Sequence, residues 1–319
     1  MNVSMIIAKK EISDAIKNKL FIIILGMLFL LTVVSIILSA YQVNVSLNEY
    51  NKTVDFLKSI GKTSLPPMPP LNPLAASKSF VNYIGMLGAL LAIVLGNLSM
   101  VKETRGGTLR LILSRQIFRD KLLNGKLIGN LTILLTISAS LCIITFLTLI
   151  IGGIPLTMGD VFRTILFFSA SFLFMSFFLI LGIFFAVVMG NGNKALLITI
   201  IIWLILSFVL PQIGDTMDMD NQLPGGFFAQ MGISKDEQTK ILLDFKFYET
   251  ARDSIEEMSP LKHYERMSFA LLNVKPGFET LAPFEVVFLK WINLIGLTIP
   301  SIILWLIAYM VFLRREDIY

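Results

Sequence analysis

The chain has 319 residues, of which 55% are hydrophobic and 15% charged, with a formal net charge of +5 and a mean hydropathy of +0.77. Soluble domains average roughly 45–50% apolar and about 25% charged, so this composition excludes an ordinary soluble fold and intrinsic disorder alike. A single cysteine, Cys142, and a single histidine, His263, exclude a disulfide scaffold and argue against a Cys/His zinc or haem site. What remains is an all-α polytopic membrane protein. Its basic residues cluster beside apolar segments, which is a topology signal rather than a nucleic-acid footprint, so no nucleic-acid partner is expected.

Residues 1–19 read as an amphipathic helix lying on the inner membrane surface. Met5, Ala8, Ile12, Ala15 and Ile16 recur at helical spacing, with Lys and Asp on the other side. Phe21–Ala40 is the first span. Its apolar run exceeds a signal-peptide core, and Leu38-Ser39-Ala40 is a poor cleavage site, so it reads as an uncleaved helix. An outer loop, 41–79, follows. It has a stiff Pro66–Pro70 stretch and two glycosylation sequons, at Asn44 and Asn51.

The second to fourth spans are Val81–Val101, Leu127–Ile151 and Thr164–Met189. Ala195–Leu210 is a weak fifth, stopped by Pro211, and Trp291–Leu313 is the sixth. Lysines 9, 10, 17 and 19, the basic 102–126 loop and Arg314-Arg315 all fall on one side of a six-span chain. That side should be cytoplasmic, with both termini inside the cell membrane.

Residues 20–213 thus form spans one to five, and 290–319 form span six and its tail. Between them, 214–289 is expected to be a small helical extracytoplasmic subdomain. Ser234–Met258 reads as one helix opened by a Ser234/Glu237 capping box.

Several chemistries lack their residues. Gly190–Lys194 has the wrong spacing for a phosphate loop and reads as a tight turn. No charge lies mid-span, which argues against an ion-coupled carrier and against intramembrane catalysis. Asp215, Asp218, Asp220 and Asn221 suit an exposed acidic turn better than a metal site, because a distal bidentate Glu is missing. Thr132, Thr136 and Ser140 of the third span share a helix face, and Ser171 and Ser176 lie in the fourth. Such hydroxyls are interhelical glue or back-bonds by default; lining a substrate path is the second reading.

The 102–126 loop is the most distinctive segment. Glu103 closes the second span, Gly106-Gly107 makes a turn, and a short helix with Leu109, Ile112 and Leu113 on one face follows. Glu103, Gly107-Thr108, Ser114, Arg119 and Gly125-Lys126 resemble the pattern in permease subunits of ABC exporters of the type-2 (type V) class. Gln116 stands where that pattern has Pro. The six-span plan and the Phe312–Ile318 tail are similar to the same family.

The resemblance implies a non-catalytic permease, paired with a second copy or a related permease and embedded in membrane lipid. Two separate ATP-binding subunits would carry the ATP and magnesium, and this chain would hold no cofactor. Glu103, Arg105, Gly106, Gly107, Thr108, Arg110, Ser114, Arg119 and Lys126 would couple to the ATPase, with Asn191 and Gly192 as a second contact. Rival readings are an ATP-independent carrier or channel, and a membrane-anchored receptor that uses 214–289.

Overall fold

The computed structural model describes residues 3–62, 66, 74, 77–105, 118–151, 156–222, 226–274 and 277–314. All the regular structure among them is helical, and six segments are long and apolar enough to cross a membrane. Ser4 Oγ donates to the Lys121 carbonyl at 3.3 Å, and Arg119 Nη1 donates to the Leu313 carbonyl at 3.2 Å. The N-terminal helix, the start of the third span and the end of the sixth therefore share one face of the bundle, termed here the near face.

Helix α1 (Val3–Ile16) is present and buries only part of the stripe its periodicity suggests. Ile7, Ala8, Glu11 and Ala15 are buried, while Met5 and Ile16 are exposed. A buried carboxylate explains the rotation, as described below. Asn18 then caps α2 (Lys19–Ser59) by accepting the Phe21 N–H at 3.0 Å. This helix has 41 residues, so the expected loop at 41–79 begins instead as roughly five more helical turns. Of the proline stretch, only Pro66 is described; its carbonyl accepts from the Tyr50 hydroxyl at 3.1 Å.

The second span is α3 (Lys78–Tyr83), a π-helical turn (Ile84–Gly88) and α4 (Ala89–Arg105). The third is α5 (Arg119–Ile151) and the fourth α6 (Met158–Met189). Helix α6 is the hub of the bundle: Phe167, Phe174, Phe178 and Leu179 are fully buried. Its crossing with α4 depends on glycine. A Cβ on Gly182 would lie 2.7 Å from the Ile93 carbonyl oxygen, and one on Gly96 would overlap the Leu179 carbonyl. Where lipid is as apolar as leucine, such close backbone approach is what holds helices together.

The fifth span is α7 (Gly192–Leu204), a second π turn (Ile205–Val209) and α8 (Leu210–Met217). Pro211 does not stop it. In a π turn the Leu206 carbonyl would await the N–H of residue 211, which proline lacks. Ser259 Oγ fills the gap, donating to that carbonyl at 2.6 Å. This partner lies 53 residues away, so Pro211 alone could not reveal it.

Beyond the fifth span come α9 (Phe227–Gln230), α10 (Lys235–Asp244), α11 (Lys246–Glu257), α12 (Pro260–Leu271) and α13 (Pro283–Leu289). The capping box forms as expected, and hydrogen bonds from the Ser234 side chain and backbone hold the Glu237 carboxyl below its ordinary range. The single expected helix is two, broken at Phe245; nothing in the structure explains why the break falls there. Helix α14 (Trp291–Arg314), with Pro300 inside it, is the sixth span.

Helix α12 does not merely cover the bundle. Tyr264 is fully buried, lies 2.9 Å from Ser171 Oγ and stacks on Phe174 with ring centroids 4.5 Å apart. Ser171 lies about 20 Å along α6 from Met158, at 1.5 Å per residue. This stretch between the fifth and sixth spans therefore packs back into the bundle, between the fourth and sixth spans.

Candidate functional site

The near face is organised by one ammonium group. Lys126 Nζ lies 2.8 Å from Glu11 Oε1, with the two side chains only 1% and 6% exposed, and it also donates to the Ser99 carbonyl. One cation thus ties α1, α4 and α5 together at the base of the loop between the second and third spans. Glycines make room for it. A Cβ on Gly125 would lie 2.9 Å from Ile7 Cβ, and one on Gly129 would lie 2.8 Å from Ala8 Cα. The turn between the fourth and fifth spans is held by the same stretch of α4. A Cβ on Gly192 would overlap Val101. With its amide turned to satisfy both partners, Asn97 donates to the Gly192 carbonyl at 3.3 Å and accepts from Leu196 N–H at 3.2 Å. Asn191 stands exposed on that turn and caps α7, accepting from the Asn193 and Lys194 N–H groups.

At the far face, both π turns line one cavity of about 240 Å³. Gly85 and Met86 reach it from the second span, and Ser207, Phe208 and Pro211 from the fifth. A Cβ on Gly85 would come within 2.7 Å of the Leu261 side chain, so this glycine admits α12. Ser207 Oγ is buried without a protein partner. The polar lining also includes Asn82, Gln212, Glu265 and an ion pair, Lys262 Nζ to Asp215 Oδ1 at 2.6 Å. Such π turns often mark functional positions. This vestibule, two spans with matching irregularities around a polar cavity, is the most site-like feature of the far half.

Helix α12 is fixed from three sides. The Arg163 guanidinium, at the start of α6, donates to the carbonyls of Ala270, Leu271, Phe278 and Leu281 and to Asn273 Oδ1. His263 lies 3.1 Å from Asn293 Oδ1 and 2.8 Å from the Glu257 carbonyl, against Gly296, where a Cβ would overlap its ring. Ser259 caps its start by accepting the Lys262 N–H at 3.3 Å.

One sequence comparison decides the family: the pattern described as "ABC-2 family transporter protein" matches residues 5–317. The chain belongs to this family. No curated protein matches it. As an ABC-2 permease it is a multi-pass membrane component of an ABC transporter, the kind that associates with an ABC ATP-binding subunit.

For this permease, Gly106, Gly107, Thr108, Arg110 and Ser114 lie outside the described residues. Glu103 and Arg105 belong to the last turn of α4, and only their backbone is described. Arg119 sits at the near face, at the start of α5. Lys126 is buried, so its own contacts are within the chain. Glu11, Asn97, Ser99 and Val101, its neighbours and those of Gly192, carried no signal readable from spacing.

The five candidate path hydroxyls do not converge. Thr132 and Thr136, exposed, and the half-buried Ser140 form a stripe on α5, each bonded to the carbonyl four residues back at 2.7–2.8 Å. Ser171 and Ser176 are buried in α6, the first on Tyr264 and the second on the Phe172 carbonyl.

The acidic turn is engaged by basic side chains. Arg252 reaches Glu249 at 2.9 Å and Asp218 at 3.5 Å. Burial works against its charge, but the pull of Glu249, Asp218, Asp253 and Glu256 outweighs it and raises the guanidinium's pKa. Asp220 Oδ1 accepts the Phe228 N–H at 3.2 Å.

Proposed function

We propose that the chain is the translocating subunit of an ATP-driven exporter in the cell membrane, with both termini cytoplasmic. It would work as two permease copies, or with a related permease, above two ATPase subunits that bind the ATP and magnesium. The basic residues at 9–19 and 119–126 support a cytoplasmic near face by the positive-inside rule. The loop running from Glu103 to Lys126 would be the principal coupling element, and the Asn191–Gly192 turn the second.

The observation that carries this reading is the continuity of the second span. Its near end, at Asn97, Ser99 and Val101, holds Lys126, where the one candidate coupling element ends, and the Asn191–Gly192 turn, the other. Its far end, at Gly85 and Met86, lines the polar vestibule. A push at the near face therefore has a stiff helical route to the cavity, and the π turn at Ile84–Gly88 provides the place where the helix can yield. In this account the vestibule handles substrate and α12 gates it.

The test is co-expression with a candidate ATP-binding subunit, followed by purification and ATP-dependent uptake into inside-out vesicles, the direction that is export in the cell. Joint purification, with transport lost in Glu103→Ala and Gly107→Val permeases that still hold the subunit, supports the assignment. Transport in the absence of any ATPase would refute it.

A further inference from the structure

Between the third and fourth spans lies a second cavity, of about 370 Å³, which shares no lining residue with the vestibule. That volume falls within the roughly 300–1,000 Å³ typical of small-molecule sites. Its walls are apolar and aromatic, with Phe146 from α5 facing Phe168 and Phe172 from α6.

Two hydroxyls interrupt these walls: Ser169 Oγ is met, donating to the Ile165 carbonyl at 2.8 Å, and the other is not. Five hydroxyls of α5, those of Thr132, Thr136, Ser140, Thr145 and Thr148, bond to the carbonyl four residues back. Ser138 does not. It lines the cavity, is 2% exposed, and its Oγ has no protein partner. An unmet hydroxyl in an apolar medium is costly, and water is scarce at this depth. Ser138 lies about 20 Å along the helix from Ile151 and about 28 Å from Arg119. It is therefore well inside a hydrocarbon layer of about 30 Å, away from the ester groups of ordinary phospholipids. An acyl chain would fill the walls but offer Ser138 nothing.

We propose that this groove binds a lipophilic molecule of steroid-like size that presents a single hydrogen-bond acceptor to Ser138. The site is lateral, reached from the membrane. It is also placed to influence the far face: Phe168 packs edge-on to Phe167 at 4.9 Å, and Phe167 stacks on Tyr264 of α12 at 6.3 Å.

A matched pair of probes tests it, 5α-androstan-17-one and 5α-androstane, which share a skeleton and differ by one ketone. The full transporter in lipid nanodiscs is labelled with a diazirine derivative of the ketone, and the adducts are mapped by peptide mass spectrometry. Adducts are expected on residues 135–146 and 165–172. Unlabelled ketone should suppress them roughly threefold to tenfold more effectively than the hydrocarbon, the weight of one neutral hydrogen bond. Ser138→Ala should abolish that difference while the hydrocarbon's own effect persists. Equal competition by the two probes, or adducts spread evenly over the lipid-facing helices, would overturn the proposal. The comparison of probes on the unaltered chain stands even if the Ser138 variant does not fold.

Discussion

Lys126 and Glu11, 115 residues apart in the chain, form a buried ion pair with 2.8 Å between Nζ and Oε1. Both groups leave water for it, so the pair's value lies less in net stability than in what happens when one partner is lost. A buried charge left alone costs roughly 3–5 kcal/mol, whereas replacing both by apolar groups is often nearly neutral. Lys126→Met alone should therefore lower the melting temperature sharply and free α1 for proteolysis. Glu11→Leu with Lys126→Met should recover most of the stability. If coupling needs the latch, the recovered double variant will still show weakened stimulation of the partner's ATPase. Thermal unfolding in detergent, read beside ATPase assays, separates the two effects.

The crossing of α4 and α6 makes a second prediction. Gly96→Ala places a methyl into the Leu179 carbonyl and should destabilise by about 1–3 kcal/mol through overpacking. Gly26→Ala, in α2, meets nothing within 4 Å. It should be neutral or stabilise by roughly 0.5–1 kcal/mol, because alanine restricts the unfolded chain. Paired thermal melts of the two variants check this, and similar losses in both would contradict the close approach.

Arg163 is expected to resist conservative replacement. Its fork serves two carbonyls and an amide oxygen at the end of α12 and two more carbonyls, of Phe278 and Leu281, in the stretch that leads to α13. An ammonium is a point charge and cannot span that set. Each charge-assisted bond lost costs about 1.5–3 kcal/mol. Arg163→Lys should loosen the α12 end, raising amide exchange at residues 270–274 at least tenfold while the exchange of α5 stays unchanged.

What was legible in the chain followed the strength of local signals. Six apolar stretches announced six spans, because nothing but lipid accommodates them. The Ser234/Glu237 pair announced a helix start, because both partners lie within one turn. Features set by distant partners stayed hidden. Pro211 reads as a stop until Ser259 is seen to satisfy the carbonyl it strands. Glu11 carries no local signal of burial, because its partner Lys126 lies 115 residues away. Residues 41–59 read as loop because they are polar, yet they carry no helix breaker and simply prolong α2. Tyr264 and Arg163 were missed for the same reason: neither has a near neighbour in sequence that betrays its burial.

ATP-driven movement at the near face is expected to reach the vestibule along the second span. The most direct measurement is a spin-label distance between positions 82 and 212, both on the vestibule wall, in a Cys142→Ser background. The transporter is assembled with its ATP-binding subunits, and distances are compared between the nucleotide-free and ATP-trapped states. A shift in the distance distribution with ATP, absent from the Gly107→Val permease that still holds the subunits, is the predicted result. An unchanged distribution on ATP binding, or the same shift in Gly107→Val, would mean that the second span does not carry the movement.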